Sequence, residues 1–359
     1  MPQKKVYEGS INYLQVLDEK GNVDKGLEKK TGLNKNDLEM IYRYLIITRV
    51  FDDRALKLQR QGRLLTYAPC LGEEAISVGS AYALNKDDWV VPSYREQGMY
   101  AVMGVPLKYI FMYFMGFEEG NALPEQFNIT PISVPVATHL PHAVGIGMAL
   151  NFKGDKKVVI TYTGDGGTSE GDFYEALNFA GVFNVPVIFI VRNNQWAISV
   201  PRNKQTIAET LAQKGIAAGI RCVQVDGNDV LGMYLASKEA VNIARKGGGP
   251  TLIEAVSYRL GVHTTADDPT RYRSQKEVDE WKKKDPIDRF KKYLEAKKIL
   301  DEKSEAKILE AAEAEVDNAV NEAEAYRTNY RNMFRFVYKK MPEEIEDQVK
   351  YLEMFLRGG

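Results

Sequence analysis

Four short runs of largely β-branched and apolar residues, at 158–162, 185–191, 222–225 and 252–258, constrain the fold of this chain more than any other feature. Each is flanked by turn residues, and helix-length segments lie between them. Strands spaced in this way pair in parallel, because the connecting helix crosses over the sheet and returns on one side. The runs lack the alternation of a half-solvated strand, so helices must cover both of their faces. The expected fold is an α/β domain, a parallel sheet with helices on both faces and helical additions at the C-terminal end.

The flanking segments agree. Over 38–60, Met40, Ile41, Leu45, Val50, Phe51, Leu56 and Leu58 recur near helical spacing, with Asn36-Asp37 as the cap and Gly62 as the stop. Further helices are expected over 73–84, 106–115 and 139–152. Residues 1–35 mix charge with Gly21 and Gly32 without periodicity and read as an extended arm that needs a partner surface. Residues 36–273 form the α/β domain on this reading. Residues 274–359, rich in Glu, Lys and Ala with spaced Leu, Ile and Tyr, form a helical region packed on it.

Composition removes several function classes. The 48 basic and 49 acidic residues nearly cancel, so no net field favours nucleic acid or an anionic membrane surface. The apolar run at 185–191 is far below the ~20 residues of a membrane span, and the first ten residues lack the apolar region of a signal peptide. Only Cys70 and Cys222 are present, too few for a disulfide framework. They are expected to be packing residues, and the reading is of a cytoplasmic protein.

Directly after the run at 158–162 stand Thr163-Gly164-Asp165-Gly166-Gly167-Thr168-Ser169-Glu170, and then a helical segment. A Gly-rich turn between a parallel strand and a helix offers backbone amides to phosphate. Many such turns are purely structural. Asp165 marks this one out, since a carboxylate beside phosphate repels it unless a cation lies between. Magnesium takes hard oxygen ligands and few protein groups. The next strand ends in Asn193-Asn194-Gln195-Trp196, which supplies amide and carbonyl oxygens at the same sheet edge. Twenty-six residues, 167–192, separate Gly166 from Asn193. That is close to one strand–helix–strand unit of about 30 residues.

Gly164-Asp165-Gly166 followed at this distance by Asn193-Asn194 is similar to the motif shared by thiamine-diphosphate enzymes. The stretch 162–199 resembles the alpha subunit of the decarboxylating first component of pyruvate and branched-chain 2-oxoacid dehydrogenase complexes. The likeness extends through Gln61-Gly62-Arg63, Gly72-Glu73-Glu74, Pro92-Ser93-Tyr94-Arg95-Glu96, Val225-Asp226-Gly227-Asn228-Asp229, Gly261-Val262-His263 and Asp267-Asp268-Pro269-Thr270-Arg271-Tyr272-Arg273.

The resemblance implies a thiamine-diphosphate-binding fold of the diphosphate-type domain, with thiamine diphosphate and Mg2+ as cofactors. It implies Asp165, the side chain of Asn194 and the backbone carbonyl of Trp196 as metal ligands. Tyr94 and Arg95 match residues that hold the diphosphate, with Arg192, Gly164 and the amides of Gly166 and Gly167 beside them. His263 matches the active-site histidine of a loop that closes over the cofactor. For Arg192 a structural ion pair is the competing reading. His139 and His142 open an apolar helix and read as packing or capping groups. The stretch 133–139 resembles one that binds potassium in some relatives, and His139 stands in place of a typical Gln, which argues against that ion here.

The implied reaction is oxidative decarboxylation of a 2-oxoacid with reductive acylation of a lipoyl group. No segment resembles the second cofactor-binding domain, so a beta subunit is expected, in an α2β2 heterotetramer, with a lipoyl-bearing acyltransferase as further partner. Cues for the acid conflict. Residues 167–175 resemble bacterial pyruvate enzymes, whereas 262–268 and Val78-Gly79-Ser80 resemble branched-chain ones, and Glu119 lies where many relatives place a pocket histidine. Thr264 stands where kinase-controlled relatives carry a serine. The alternatives are an acetoin dehydrogenase alpha subunit and a non-catalytic cofactor-binding subunit. A nucleotide phosphotransferase would need a phosphate-loop lysine after Gly167, and none follows it.

Overall fold

The structure is a computed structural model that describes residues 3–335 and 337–358. Its centre is a six-stranded parallel sheet of β1 (Tyr13–Leu14), β2 (Trp89–Val91), β3 (Val159–Gly164), β4 (Val187–Asn193), β7 (Arg221–Asp226) and β8 (Thr251–Val256). The spatial order is β1-β7-β8-β4-β3-β2. A small antiparallel pair, β5 (Trp196–Ala197) and β6 (Val200–Pro201), stands outside it.

The uninterrupted apolar character of the central strands has the expected cause. Every residue of β4 is buried. Ile160, Ile188, Ile190 and Ile253 join one core, with the helices Lys35–Arg60, Glu74–Ala81, Val230–Arg245 and Glu302–Ala325. Val159, Val187, Phe189, Val191 and Leu252 join a second core on the opposite face, under His139–Lys153 and Gly171–Val182. Burying each such side chain contributes roughly 1.5–3 kcal/mol.

β3 and β4 end later than the apolar runs suggest, and β8 ends earlier, at Val256. β3 continues to Gly164 and β4 to Asn193, because backbone pairing does not need apolar side chains. The long helix begins at Lys35 and is capped by Asn34 rather than by Asn36-Asp37. Asn34 accepts from the amides of Asn36 and Asp37, and Asp37 returns a bond to the Asn34 amide at 2.9 Å, which is a complete capping box. Gly62 stops the helix with φ of 73°, a left-handed value that a Cβ would strain.

Two strands are too short for sequence patterning to show. β2 has three residues. β1 has two and lies in the segment expected to be an arm in need of a partner surface. Part of that segment is instead held by this chain. β1 pairs with β7, Val16 and Leu17 are buried, and Lys25–Thr31 is helical. The anchor is Asp229, fully buried, whose Oδ2 accepts the amides of Val16 at 2.6 Å and Leu17 at 2.9 Å. Its Oδ1 accepts Leu231 N at 3.0 Å. Residues 3–12 have no regular structure.

The C-terminal region is helical, with Pro286–Ala296 and Glu302–Ala325 on the first core and Gln275–Lys282 on a small separate cluster of Trp196, Tyr258, Leu260 and Val278. Arg43, Arg54 and Arg63 pair with Glu315, Asp317 and Glu324, tying Glu302–Ala325 and the following cap to the helix Lys35–Arg60 and its end. Arg289 crosses the core to Asp226 at 2.7 Å and to the Leu17 carbonyl at 3.1 Å. The last helix, Glu343–Gly358, has no fully buried side chain among its described residues. No described helix is long and apolar enough to cross a membrane.

Replacing Asp229 with Ala strands three buried amides, which costs roughly 2–4 kcal/mol. Urea unfolding is expected to show that loss, and native-state proteolysis to cut residues 3–24 faster. Unchanged cleavage would refute the anchoring role.

Candidate cofactor site

β3 and β4 pair in register, with Gly164 opposite Arg192, and the Asp165 amide donates to the Arg192 carbonyl at 3.0 Å. The ends of both strands therefore reach the carboxyl edge of the sheet together. Asp165 opens a short 3-10 turn, Gly166–Ser169, that leads into the helix Gly171–Val182. Glycine is required in this turn. A Cβ on Gly167 would lie 2.0 Å from Thr163 Oγ1, and one on Gly166 would lie 3.0 Å from the Ala197 Cβ.

The turn is fastened from below. The Asp165 carbonyl accepts from Thr168 N at 3.1 Å, Thr168 Oγ1 at 2.8 Å and Gln205 Nε2 at 3.0 Å. Lys214 Nζ donates to the Thr168 carbonyl at 2.8 Å and its Oγ1 at 3.0 Å. The Asp165 side chain has a different situation. It is 2% exposed, and its Oδ2 is buried without a hydrogen-bond partner. Burial, with the charge of Glu73 adding to it, pushes this carboxyl up to about 7. A buried, unsatisfied carboxylate oxygen is costly unless a cation meets it.

On the neighbouring strand end, Asn194 gives its Nδ2 to both oxygens of Glu73, at 3.2 and 3.1 Å. Its Oδ1 has only a long contact from Trp196 N at 3.3 Å. Between them Gln195 has φ of 72°, turning the chain out of the ladder into the β5–β6 hairpin. The Trp196 carbonyl accepts Arg259 Nη1 at 3.1 Å. No cluster of three or more His, Cys, Asp or Glu suited to a metal is found among the described residues. One carboxylate, one amide oxygen and one carbonyl are nonetheless the donor types that magnesium accepts. The residues present fit a hard divalent cation.

The structure brings Arg95 and His263 together across 168 positions. Arg95 Nη2 lies 2.9 Å from His263 Nδ1 and donates to its carbonyl at 2.5 Å, while Nη1 bonds the Pro69 carbonyl. Arg259 Nη1 approaches the same Nδ1 at 3.3 Å. Nδ1 is then the acceptor of two guanidinium groups, and the ring proton belongs on Nε2. Burial and the charges of Arg95 and Arg259 push the imidazole down to about 4. The loop that carries it is tied at several points. The His263 amide and the Tyr272 hydroxyl both donate to Asp267 Oδ2, at 2.7 and 2.5 Å, and Thr265 N donates to the Tyr67 carbonyl at 2.9 Å. Tyr94 lies beside this group, its ring 5.4 Å from the Arg95 guanidinium.

Arg192 is 3% exposed and sits under the turn. Its Nη2 bonds Glu96 Oε1 at 2.6 Å and the Arg95 carbonyl at 3.3 Å, and its Nε lies 3.3 Å from Glu73 Oε2. Of the two readings of Arg192, these contacts are those of the ion pair. His139 is buried, with Nε2 2.6 Å from the Tyr162 carbonyl, and His142 is exposed. Glu119 holds Thr328 and Asn332 at 2.9 and 3.0 Å, an anchor for the C-terminal region. Cys70 is buried, Cys222 is half-buried, and burial raises both thiols, which suits packing roles.

Sequence reasoning gave no role to Glu73, Glu96, Gln205, Lys214 or Arg259. Glu73 and Glu96 stood inside quoted motifs, so only their partners were invisible. For Gln205, Lys214 and Arg259 no local signal existed.

Two outcomes follow. Gly167→Ala should weaken binding of thiamine diphosphate with Mg2+ by at least about tenfold in a thermal-shift titration, and adding Thr163→Ala should recover part of it by removing the clash. No recovery would mean that the clash is not the cause. The pKa of His263 lies below its unfolded value of about 6.5, so its share of stability is complete above that pH and declines as pH falls toward 4. Its ring NMR signals should stay flat from pH 8 to about 5.5. A midpoint near 6.5 would contradict the two-guanidinium environment.

Residues 42–331 match the family model described as Dehydrogenase E1 component. The chain is 43% identical over 343 residues to a Staphylococcus aureus protein named pyruvate dehydrogenase E1 component subunit alpha, covering 95% of this chain and 92% of that one. Proteins of the same name from Bacillus subtilis and Acholeplasma laidlawii are also 43% identical, over 93% and 95% of this chain and 90% and 99% of theirs. The chain belongs to the Dehydrogenase E1 component family, whose pyruvate dehydrogenase alpha subunits depend on thiamine diphosphate and Mg2+.

Proposed function

We propose that this chain is the alpha subunit of a 2-oxoacid dehydrogenase that decarboxylates pyruvate and passes the acyl group to a lipoyl group. The observation that carries the reading is the unpartnered, buried Asp165 Oδ2 beside the Asn194 amide at the sheet edge. Asp165, Asn194 Oδ1 and the Trp196 carbonyl would hold Mg2+. The amides of Gly166 and Gly167, with Tyr94 and Arg95, would hold the diphosphate, whose charge of about −3 calls for a divalent ion and a cationic donor. Gly164 shapes the same turn. Arg192 would act on the site through Glu73 and Glu96.

Thiamine diphosphate, when bound, supplies the electron sink for decarboxylation. The chain's own contribution is placement and proton control. Arg95 and Arg259 keep His263 neutral at physiological pH with its proton on Nε2, so that atom can offer a hydrogen bond to a substrate carboxylate or a lipoyl sulfur. The Asp267–Tyr272 contact ties together the loop that carries His263.

Pyruvate is preferred over a branched-chain acid because the relatives reported above are named pyruvate dehydrogenase subunits. A beta subunit is the expected partner, in an α2β2 assembly, since the relatives reported above are named alpha subunits. A lipoyl-bearing acyltransferase would receive the acyl group, and the cytoplasm is the proposed compartment.

Calorimetry on the purified subunit pair tests the cofactor reading. Asp165→Ala should weaken the binding of thiamine diphosphate with Mg2+ by about 100-fold or more. Wild-type affinity in that variant would refute the metal assignment. A decarboxylation assay should favour pyruvate over 3-methyl-2-oxobutanoate, and comparable rates would replace the pyruvate reading with a broad-specificity enzyme.

A further inference from the structure

Glu73, Glu96, Asp165 and Arg192 are all buried, with the buried guanidinium groups of Arg95 and Arg259 close by. Arg192 does not need both glutamates. Its short bond is to Glu96, at 2.6 Å, and Glu73 stands off at 3.3 Å. Glu73 makes its other contacts to Asn194, receiving Nδ2 on both carboxylate oxygens. With a carboxylate on that side, only one setting of the amide is acceptable. The NH2 group must face Glu73, and Oδ1 must face away, because the flipped amide would set oxygen against oxygen.

We propose that Glu73 is the positioning residue of the cation site. Its two oxygens fix the Asn194 amide so that Oδ1 faces the cation. The proposal rests on the metal reading of Asp165 and Asn194. It assigns Glu73 no contact with the cation, the cofactor or the substrate. Its action passes through Asn194, as groups behind a ligand orient the ligand.

The discriminating change is Glu73→Gln. It keeps the shape of the side chain, removes one charge, and offers an NH2 that lets the Asn194 amide turn over. Adding Asn194→Asp to that variant gives the cation an oxygen whichever way the group turns and restores the charge. The probe is Mn2+, followed by its electron paramagnetic resonance signal as it binds the full chain with its beta partner in excess thiamine diphosphate.

In Glu73→Gln the dissociation constant for Mn2+ should rise by about 10- to 100-fold. Affinity for thiamine diphosphate at saturating Mn2+ should stay within about threefold. The double variant should regain most of the lost Mn2+ affinity. Glu96→Gln, which removes a neighbouring charge without touching Asn194, should cost less. If Glu73→Gln does not fold, Glu73→Met asks the same question, with Asn194→Asp again as the rescue.

Wild-type Mn2+ affinity in Glu73→Gln, with affinity lost in Asp165→Ala, overturns the proposal and leaves the metal reading standing. Wild-type affinity in Asp165→Ala overturns the metal reading itself. Failure of Asn194→Asp to rescue, or an equal loss in Glu96→Gln, assigns Glu73 to the Arg192 ion pair and also overturns the proposal.

Discussion

The register of β3 on β4 is the constraint on which the rest of the site depends. Gly164 faces Arg192 across the ladder, and from that pairing Asp165 and Asn194 emerge at one edge. A slip of one residue would turn each side chain of the strand to the opposite face. Such a slip is opposed by two cores at once, since Ile188 and Ile190 pack on one side while Val187, Phe189 and Val191 pack on the other. The geometry of two polar residues at the rim is thus enforced by apolar residues along the length of the strand. The strand-to-helix turn adds a local restriction, because Thr163 Oγ1 leaves no room for a Cβ on Gly167.

A second layer of organisation is electrostatic and runs between elements far apart in the chain. Arg95 follows β2, Arg259 follows β8, and both converge on one nitrogen of His263. Two like charges are brought together there without a carboxylate between them, an arrangement that costs free energy unless other groups satisfy it. Backbone carbonyls do part of this, from Pro69, Trp196 and Ile198. An anionic ligand would do more. The same residues that disfavour a protonated His263 also present guanidinium charge to a diphosphate, so the local strain and the binding property have one origin.

What could be read in the sequence follows from how local each signal is. β3, β4, β7 and β8 were legible because each is an apolar run between turns. The Gly164–Gly167 turn and Asn193-Asn194 were legible because their spacing equals one crossover unit. β1 and β2 were not, since two or three residues carry no period and their pairing partners lie far along the chain. Asn36-Asp37 was misplaced as a cap by two residues because Asn34 and Asp37 act as a reciprocal pair, which is visible only from the backbone bonds. The bonds of Glu73 to Asn194 and of Arg95 to His263 span 121 and 168 positions. Both partners stood in recognisable motifs, yet no pattern along the chain joins them.

The raised pKa of Asp165 connects stability with loading. A carboxyl whose folded pKa lies above its unfolded value of about 4 makes the empty fold less stable as pH rises from about 4 toward 7. As pH rises through neutrality the unloaded chain therefore acquires a buried, poorly compensated carboxylate, with Glu73 close enough to add to the penalty. A divalent cation removes that penalty and binds only the folded state, so it stabilises by mass action as its free concentration exceeds its dissociation constant. A hydrophobic residue at position 165 would relieve the empty fold and abolish the site. Retaining the acid places part of the stability of the domain in its ligand, and the same buried charge that weakens the empty sheet edge draws the cation to it.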